Sequence, residues 1–322
     1  IIGIVGNKPV AERLGDGLRR MKYRGYDSAG ICTIHEGALV RRRAEGKLNN
    51  LIAELADNPA PGEIGIAHTR WATHGAPTAK NAHPHATEHV ALVHNGIIEN
   101  FKELRAELRD AGRTLESDTD SEVVAHLVSR LVENGHSPQE AVADVLPRLR
   151  GAFALAIAFR DDPDILIGAR RGSPLVVGYG VNETYIGSDA LALAPLTQEI
   201  SYLEEGDWVV VTRDGASIYD AENTAVTREI RNSGASAAAV EKGNYRHFMQ
   251  KEIFEQPTVV AQTLGSYLRQ SDNSVALPQF DFNISRIKRI TIVACGTSYY
   301  AGMVAKYWFE QFARVPVDID VA

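Results

Sequence analysis

The apolar residues of the first two-thirds of this chain fall into short β-type runs on either side of a stretch with helical periodicity. Ile1–Val5, Ile31–His35, Ile64–Ala67 and Val90–Val93 lie on one side. Ala152–Phe159, Ile165–Arg170, Leu175–Gly178, Tyr185–Gly187, Val209–Thr212 and Ser217–Tyr219 lie on the other, separated by turn signals such as Asp161-Asp162-Pro163 and Asp214-Gly215. The middle predicts a helix from Asn100 to Ala111, with Gly112 as its left-handed stop. Thr119-Asp120-Ser121-Glu122 predicts a capping box opening a helix over Val123–Glu133; Ser137-Pro138-Gln139-Glu140 predicts a second, with proline at the first helical position. Earlier, Val10, Leu14, Leu18 and Met21 keep helical spacing, and a Glu36-Gly37 turn marks a hairpin. Strand-rich ends around a helical middle predict an α+β domain with packed sheets inside and helices outside.

A length of 322 residues sets a prior of two domains. The boundary falls where Asn-Ser-Gly-Ala-Ser-Ala-Ala-Ala reads as a linker, giving domains at residues 1–230 and 247–322 joined by 231–246. In the second domain a long apolar helix begins at Phe248, with a break expected at Pro257. One βαβ unit follows: Ile290–Ala294, the turn Cys295-Gly296-Thr297-Ser298, a helix through Met303 and Trp308, and Val317–Val321. Backbone N–H groups at such a turn suit a phosphate, although a plain N-cap explains Thr297 and Ser298 equally well. A parallel sheet needs both faces covered, so this domain reads as cut short.

The net charge of −7 argues against a nucleic-acid surface. No apolar run approaches the ~20 residues of a membrane helix. Nor does a basic, then apolar, leader open the chain, which starts Ile1-Ile2 rather than with methionine. Cys32 and Cys295 lack metal-type spacing, so a reduced, cytoplasmic protein is expected.

Two of the strand runs end abruptly in polar groups: His68-Thr69-Arg70-Trp71-Ala72-Thr73-His74-Gly75 and Val93-His94-Asn95-Gly96-Ile97-Ile98-Glu99-Asn100. Arg70 offers a guanidinium that can grip a carboxylate through two parallel hydrogen bonds. Asn95 and the Gly96 N–H are donors of the kind an oxyanion hole uses. Asp120 reads either as an acid favoured in a helix's first turn or as a partner for a ligand ammonium. Trp71 reads as packing or as a lid over a ligand. The histidines at 68, 74, 83, 85, 89 and 94 invite a metal reading, but no cysteine or glutamate joins them at ligand spacing and Pro84 splits the closest pair. No metal is expected, and His68 and His94 are expected to bond backbone at strand ends. Gly-x-Ser-x-Gly is absent, so no serine triad is read.

Taken in order, Gly3-Ile4-Val5-Gly6, Tyr23-Arg24-Gly25-Tyr26-Asp27-Ser28-Ala29-Gly30, the two polar strand ends, Asn81-Ala82-His83-Pro84-His85, Ser188-Asp189, Tyr245–Ile253 and Ala294–Ser298 resemble the glutamine–fructose-6-phosphate aminotransferase (isomerising) family, also called glucosamine-6-phosphate synthases. The resemblance implies a class II glutamine amidotransferase domain with an N-terminal-nucleophile fold, two antiparallel sheets between helical layers, followed by the start of a sugar-isomerase (SIS) domain. It implies that a cysteine before Gly-Ile-Val-Gly attacks the glutamine amide, and places that position at Ile2. Arg70 would hold the glutamine α-carboxylate, Asp120 its ammonium, and Asn95 with Gly96 the oxyanion. Trp71, Thr73 and His74 would form the lid, Arg24 the wall beside the nucleophile, and Thr297 and Ser298 part of the fructose 6-phosphate site.

No cofactor is implied; a homodimer is, for the complete family member. The chain departs from the pattern at Ile2, which cannot attack, at Ile1, which precedes it, and in its partial isomerase portion. The expectation is an amidotransferase of amino-sugar synthesis, inactive as written. The alternatives are a non-catalytic glutamine- or partner-binding module on the same fold, or another class II amidotransferase; the Tyr23–Gly30 run and the Cys295–Ser298 turn argue against the last.

Overall fold

The structure, a computed structural model, describes residues 1–21, 27–70, 75–233, 247–269, 274–275 and 282–322. The chain divides into two compact units, Ile1–Gly243 and Asn244–Ala322.

The first unit runs β1 (Ile2–Val5), α1 (Ala11–Arg20), β2 (Ser28–His35), β3 (Ala38–Glu45), α2 (Leu48–Asp57), β4 (Ile64–Arg70), β5 (His85–Ala86), β6 (Val90–Ile98), α3 (Phe101–Asp110), α4 (Glu122–Glu133) and α5 (Pro138–Val145). It continues with β7 (Gly151–Phe159), β8 (Leu166–Arg171), β9 (Val176–Gly180), β10 (Glu183–Gly187), α6 (Ala190–Leu193), β11 (Glu199–Tyr202), β12 (Trp208–Thr212), β13 (Gly215–Tyr219), β14 (Ala225–Val226) and β15 (Arg231–Asn232). The strands form two antiparallel sheets, ordered β15-β11-β9-β10-β1-β4-β2-β3 and β14-β13-β12-β8-β7-β6-β5.

Strand alternation sorts side chains into layers. On β1, Ile2 and Ile4 pack with Leu14 and Leu18 of α1 and Leu193 of α6. Ile1 and Val5 point the other way, into the space between the sheets. Gly3 shares that inward side, where a Cβ would stand 3.1 Å from Leu166 Cδ1 of the opposite sheet. On β6, Ala91 and Val93 face the first sheet while Val90 and Leu92 face the α3–α5 cluster. The result is a helix–sheet–sheet–helix sandwich, the four-layer α+β arrangement that the sequence predicts. Each fully buried Ile, Leu or Val contributes roughly 1.5–3 kcal/mol of apolar burial.

Local details differ from the sequence reading. Ser28–Gly30 extend β2 ahead of the Ile31–His35 run, and Arg231–Asn232 pair with β11 instead of opening a linker. The rest of the expected linker, 234–246, lies outside the described residues. The Ser137–Glu140 capping box forms, but the one at 119–122 does not. Thr119 Oγ1 instead bonds His85 Nε2 at 3.0 Å, and the Glu122 carboxylate accepts from the N–H groups of Glu116 and Ser117, each at 2.7 Å. Both side chains thus hold the loop before α4 rather than the end of the helix.

In the second unit, α7 (Phe248–Tyr267) is followed by β16 (Leu268–Arg269), β17 (Ser274–Val275), β18 (Ile290–Ala294), α8 (Gly296–Trp308) and β19 (Val317–Val321). Pro257 lies within α7 without ending it, contrary to the expected break. The βαβ unit is present: β18 and β19 are parallel, with Ile292 opposite Ile319. Gly302 lets α8 approach them, since a Cβ there would come within 2.9 Å of Ile319 Cδ1 and 3.0 Å of Ile292 Cγ2. Val293, of the opposite strand parity, is 60% exposed.

Candidate active site

The polar strand ends meet at one end of the inter-sheet layer, and strand parity brings them there. Ile64 and Ile66 of β4 face between the sheets, so His68 and Arg70, two and four residues beyond Ile66, share that side. Ala91 and Val93 do the same on β6, which places Asn95 opposite. His68 Nε2 lies 2.7 Å from Asn95 Oδ1. Asn95 Nδ2 donates to Ser188 Oγ at 3.0 Å, and the Ile1 nitrogen donates to the same oxygen at 2.6 Å. The Ser188 hydroxyl and backbone N–H both reach the Ile1 carbonyl, at 3.3 and 3.1 Å. Asn95 is half-buried and Gly96 beside it is exposed, so the amide stands at a mouth. Gly96 has φ +126°, and a Cβ there would overlap the Ala152 carbonyl oxygen, so glycine is required.

Arg70 is buried at the end of β4, its guanidinium donating to the carbonyls of Gly75 (3.1 Å) and Ala76 (3.2 Å). Burial lowers its pKa, while the carboxylates of Asp27 and Asp120 raise it; a guanidinium stays charged throughout. Asp120 is buried too. Its Oδ2 accepts from the Ile98 N–H at 2.8 Å and lies 3.9 Å from His94 Nδ1. The loop carrying it is fixed by Arg105, which donates to the Ser117 (2.8 Å) and Thr119 (2.6 Å) carbonyls. A cation and an anion thus feel each other beside a half-buried amide, which suits a ligand bearing both a carboxylate and an ammonium.

Behind these groups the imidazoles of His68, His83 and His85 are packed together, with ring centroids 4.4 Å (68/83) and 4.6 Å (83/85) apart. The His94 N–H donates to His83 Nδ1 at 3.1 Å, and His94 Nδ1 meets Ser121 Oγ at 2.9 Å. Burial pushes His68 and His83 well below the ordinary imidazole pKa and His85 down to about 3, so all three are neutral at pH 7. His68 and His94 were expected to bond backbone; their rings bond side chains instead, because the facing sheet and the loop before α4 bring side-chain partners to them. Among the described residues no group of three or more His, Cys, Asp and Glu could hold a metal ion.

The structure therefore gathers Arg70, Asn95, Gly96 and Asp120. Arg24, Trp71, Thr73 and His74 lie outside the described residues, and Thr297 and Ser298 stand exposed at the start of α8 in the second unit. The position that the resemblance assigns to the nucleophile needs correcting. Ile2 is fully buried on the helix-facing side of β1, against α1, where a Cβ on Gly17 would overlap its Cδ1. A thiol on that side chain would face away from Asn95. Ile1, of the opposite parity, is the residue whose backbone reaches Ser188. Ser188 belongs to the Ser188-Asp189 motif of the resemblance, but the sequence assigns it no role, and its bonds to Ile1 and Asn95 appear only once the sheets pack.

Residues 68–195 match the family model described as a glutamine amidotransferase domain. Among curated proteins, the chain is 68% identical over 322 residues to the glutamine–fructose-6-phosphate aminotransferase [isomerizing] of Zymomonas mobilis subsp. mobilis and 60% identical to that of Brucella suis biovar 1. Each match covers 100% of this chain and 53% of the relative, so the chain spans about half the length of the curated relatives it matches. Among solved structures, the glutamine phosphoribosylpyrophosphate amidotransferase from B. subtilis superposes with a TM-score of 0.61 at 20% identity, covering 99% of this chain and 65% of that one. Sandwich and family match together define a glutamine amidotransferase domain of the N-terminal-nucleophile class. The curated proteins to which it is similar along its whole length are glutamine–fructose-6-phosphate aminotransferases. No helix among the described residues is long and apolar enough to cross a membrane.

Proposed function

We propose that this site binds glutamine and polarises its side-chain amide, as the ammonia-releasing half of a glutamine–fructose-6-phosphate aminotransferase that forms glucosamine 6-phosphate. The observation that carries the reading is the placement of Arg70, Asp120 and the Asn95-Gly96 pair at one end of the inter-sheet layer. Arg70 binds the α-carboxylate and Asp120 the ammonium, which fixes the distal amide over Asn95. A thiolate adds to the amide carbon, and the oxygen that becomes negative accepts from Asn95 Nδ2 and the Gly96 N–H. The amide nitrogen takes a proton and leaves as ammonia; water then cleaves the thioester to glutamate. Each such oxyanion donor lowers the barrier by ~3–4 kcal/mol.

The family's nucleophile is a terminal cysteine whose own α-amine, of pKa roughly 7.7–8.0, takes the thiol proton. None of the described residues at the site supplies that thiol. Ile1 and Ile2 are aliphatic, and burial pushes the Cys32 thiol up to about 12. What this chain's residues account for is the grip on glutamine and the oxyanion. Arg24 would line the nucleophile side, and Trp71, Thr73 and His74 would cover the ligand. Thr297 and Ser298 would meet the phosphate of fructose 6-phosphate, and the complete protein would work as a homodimer in the cytoplasm.

Glutamate release by the protein at the full length its gene encodes is the test. Asn95→Ala is expected to lower kcat by ~10²–10³-fold. Arg70→Ala is expected mainly to raise KM, because a grip remote from the scissile bond is uniform binding. Wild-type kinetics in both variants would overturn the reading.

A further inference from the structure

We propose that His68, acting with Ser188, is a positioning residue that holds the Asn95 amide in the one orientation able to donate to an oxyanion. The proposal rests on the oxyanion reading of Asn95. A side-chain amide has an oxygen that only accepts and a nitrogen that only donates, through two hydrogens. His68 Nε2 is 2.7 Å from Asn95 Oδ1, so it carries the ring proton and donates it. The tautomer is thereby fixed, and His68 Nδ1 is left bare, buried and without a hydrogen-bond partner. Protonating that nitrogen would bury a charged N–H with no acceptor, consistent with the strongly depressed pKa of the ring.

On the other side of the amide, Ser188 Oγ accepts one Nδ2 hydrogen at 3.0 Å. Its own hydrogen has an acceptor in the Ile1 carbonyl, 3.3 Å away. The hydroxyl is therefore directional: it can take a hydrogen from Asn95 but has none left to give. Turning the amide over would set the Asn95 NH2 against the His68 N–H, or oblige the ring to move its proton to Nδ1, which is buried with no acceptor; either way Oδ1 would face a hydroxyl already committed. Held as it is, Asn95 keeps one Nδ2 hydrogen for a ligand, on the half-buried residue beside exposed Gly96. A donor fixed before the reaction begins is the condition for oxyanion stabilisation, since it needs no reorganisation as charge develops.

The test is glutamine hydrolysis by the full-length protein carrying His68→Leu, His68→Gln, Asn95→Ala or His68→Leu with Asn95→Ala. His68→Leu is expected to lower kcat ~10–100-fold with KM changed less than ~3-fold, the signature of an interaction felt in the transition state. His68→Gln, which keeps an N–H donor, should recover most of that loss. The double variant should be no slower than Asn95→Ala alone, because the imidazole acts only through the amide. Wild-type kcat in His68→Leu, with Asn95→Ala slow, would overturn the positioning role and leave the oxyanion reading standing. Wild-type kcat in Asn95→Ala would overturn both. Should His68→Leu fail to fold, 15N spectra of the unmodified protein decide: a neutral ring protonated on Nε2 at neutral pH supports the role, and a ring protonated on Nδ1 contradicts it.

Discussion

At the scale of single residues, the two isoleucines that open the chain have opposite surroundings. Ile2 fills the layer between β1 and α1, whereas Ile1 faces the second sheet and places its nitrogen 2.6 Å from Ser188 Oγ. Ile2→Cys should therefore leave glutamate release at the level of the unmodified protein, because the new thiol would lie among Leu14 and Leu18; release well above that level would show that β1 can turn over. Ile2→Ala should destabilise the fold by ~2–4 kcal/mol through the cavity it opens, measurable by urea denaturation. Arg70, Asn95, Gly96 and Asp120 were legible in the sequence because polar groups interrupt strand patterns or open a helix where packing alone does not call for them. The bonds of His68 and Ser188 were not, because their partners come from strands far along the chain and depend on how two sheets face each other. The parity of Ile2 was not legible either, since a resemblance aligns motifs without saying which face of a strand a side chain takes.

At the scale of elements, the loop before α4 is shaped by one carboxylate. Glu122 accepts from two backbone N–H groups and the Ser117 hydroxyl, and its side chain lies 3.6 Å from His126 Nε2. Burial works to raise its pKa, but bonds from His126, Ser117 and the Glu116 and Ser117 backbone outweigh it and hold the group at about 2. A carboxyl depressed in the folded state adds stability above its unfolded pKa, roughly 4.3, and that stability is lost as the pH falls toward about 2. Glu122→Gln should thus cost ~1–3 kcal/mol at pH 7, and progressively less on acidification between these limits. Denaturation curves at pH 7 and pH 3 check this; an equal cost at both would contradict it. The same sequence pattern predicts a capping box, and spacing alone cannot tell which free amide the carboxylate will choose. At Ser137–Glu140 the box does form, with Pro138 already holding the first helical position.

At the scale of the whole molecule, packed sheets with outer helices and the separate βαβ unit were legible from apolar periodicity, whereas the number and order of the sheets were not, since long-range pairing leaves no local mark. The sandwich also buries His68, His83 and His85 in neutral form. Their unfolded pKa lies near 6.5, so below that pH the unfolded chain binds more protons than the folded one, and stability falls as pH drops. Each contributes ~1.4 kcal/mol per pH unit, and His85 does so only until its folded value of about 3 is reached. Calorimetry should show Tm falling steeply from pH 7 to pH 5, with a shallower fall in His85→Gln; a flat Tm would mean that the histidines are not buried neutral.

On the proposed function, Arg70 and Asp120 hold the two ends of an α-amino acid at this site. Calorimetric titration of the full-length protein with L-glutamate tests it most directly, because glutamate presents the same α-carboxylate and ammonium and is not consumed. Arg70→Ala is expected to weaken binding at least ~10-fold, the loss of a charge-assisted bidentate contact; binding by Arg70→Ala equal to that of the unmodified protein would contradict the account.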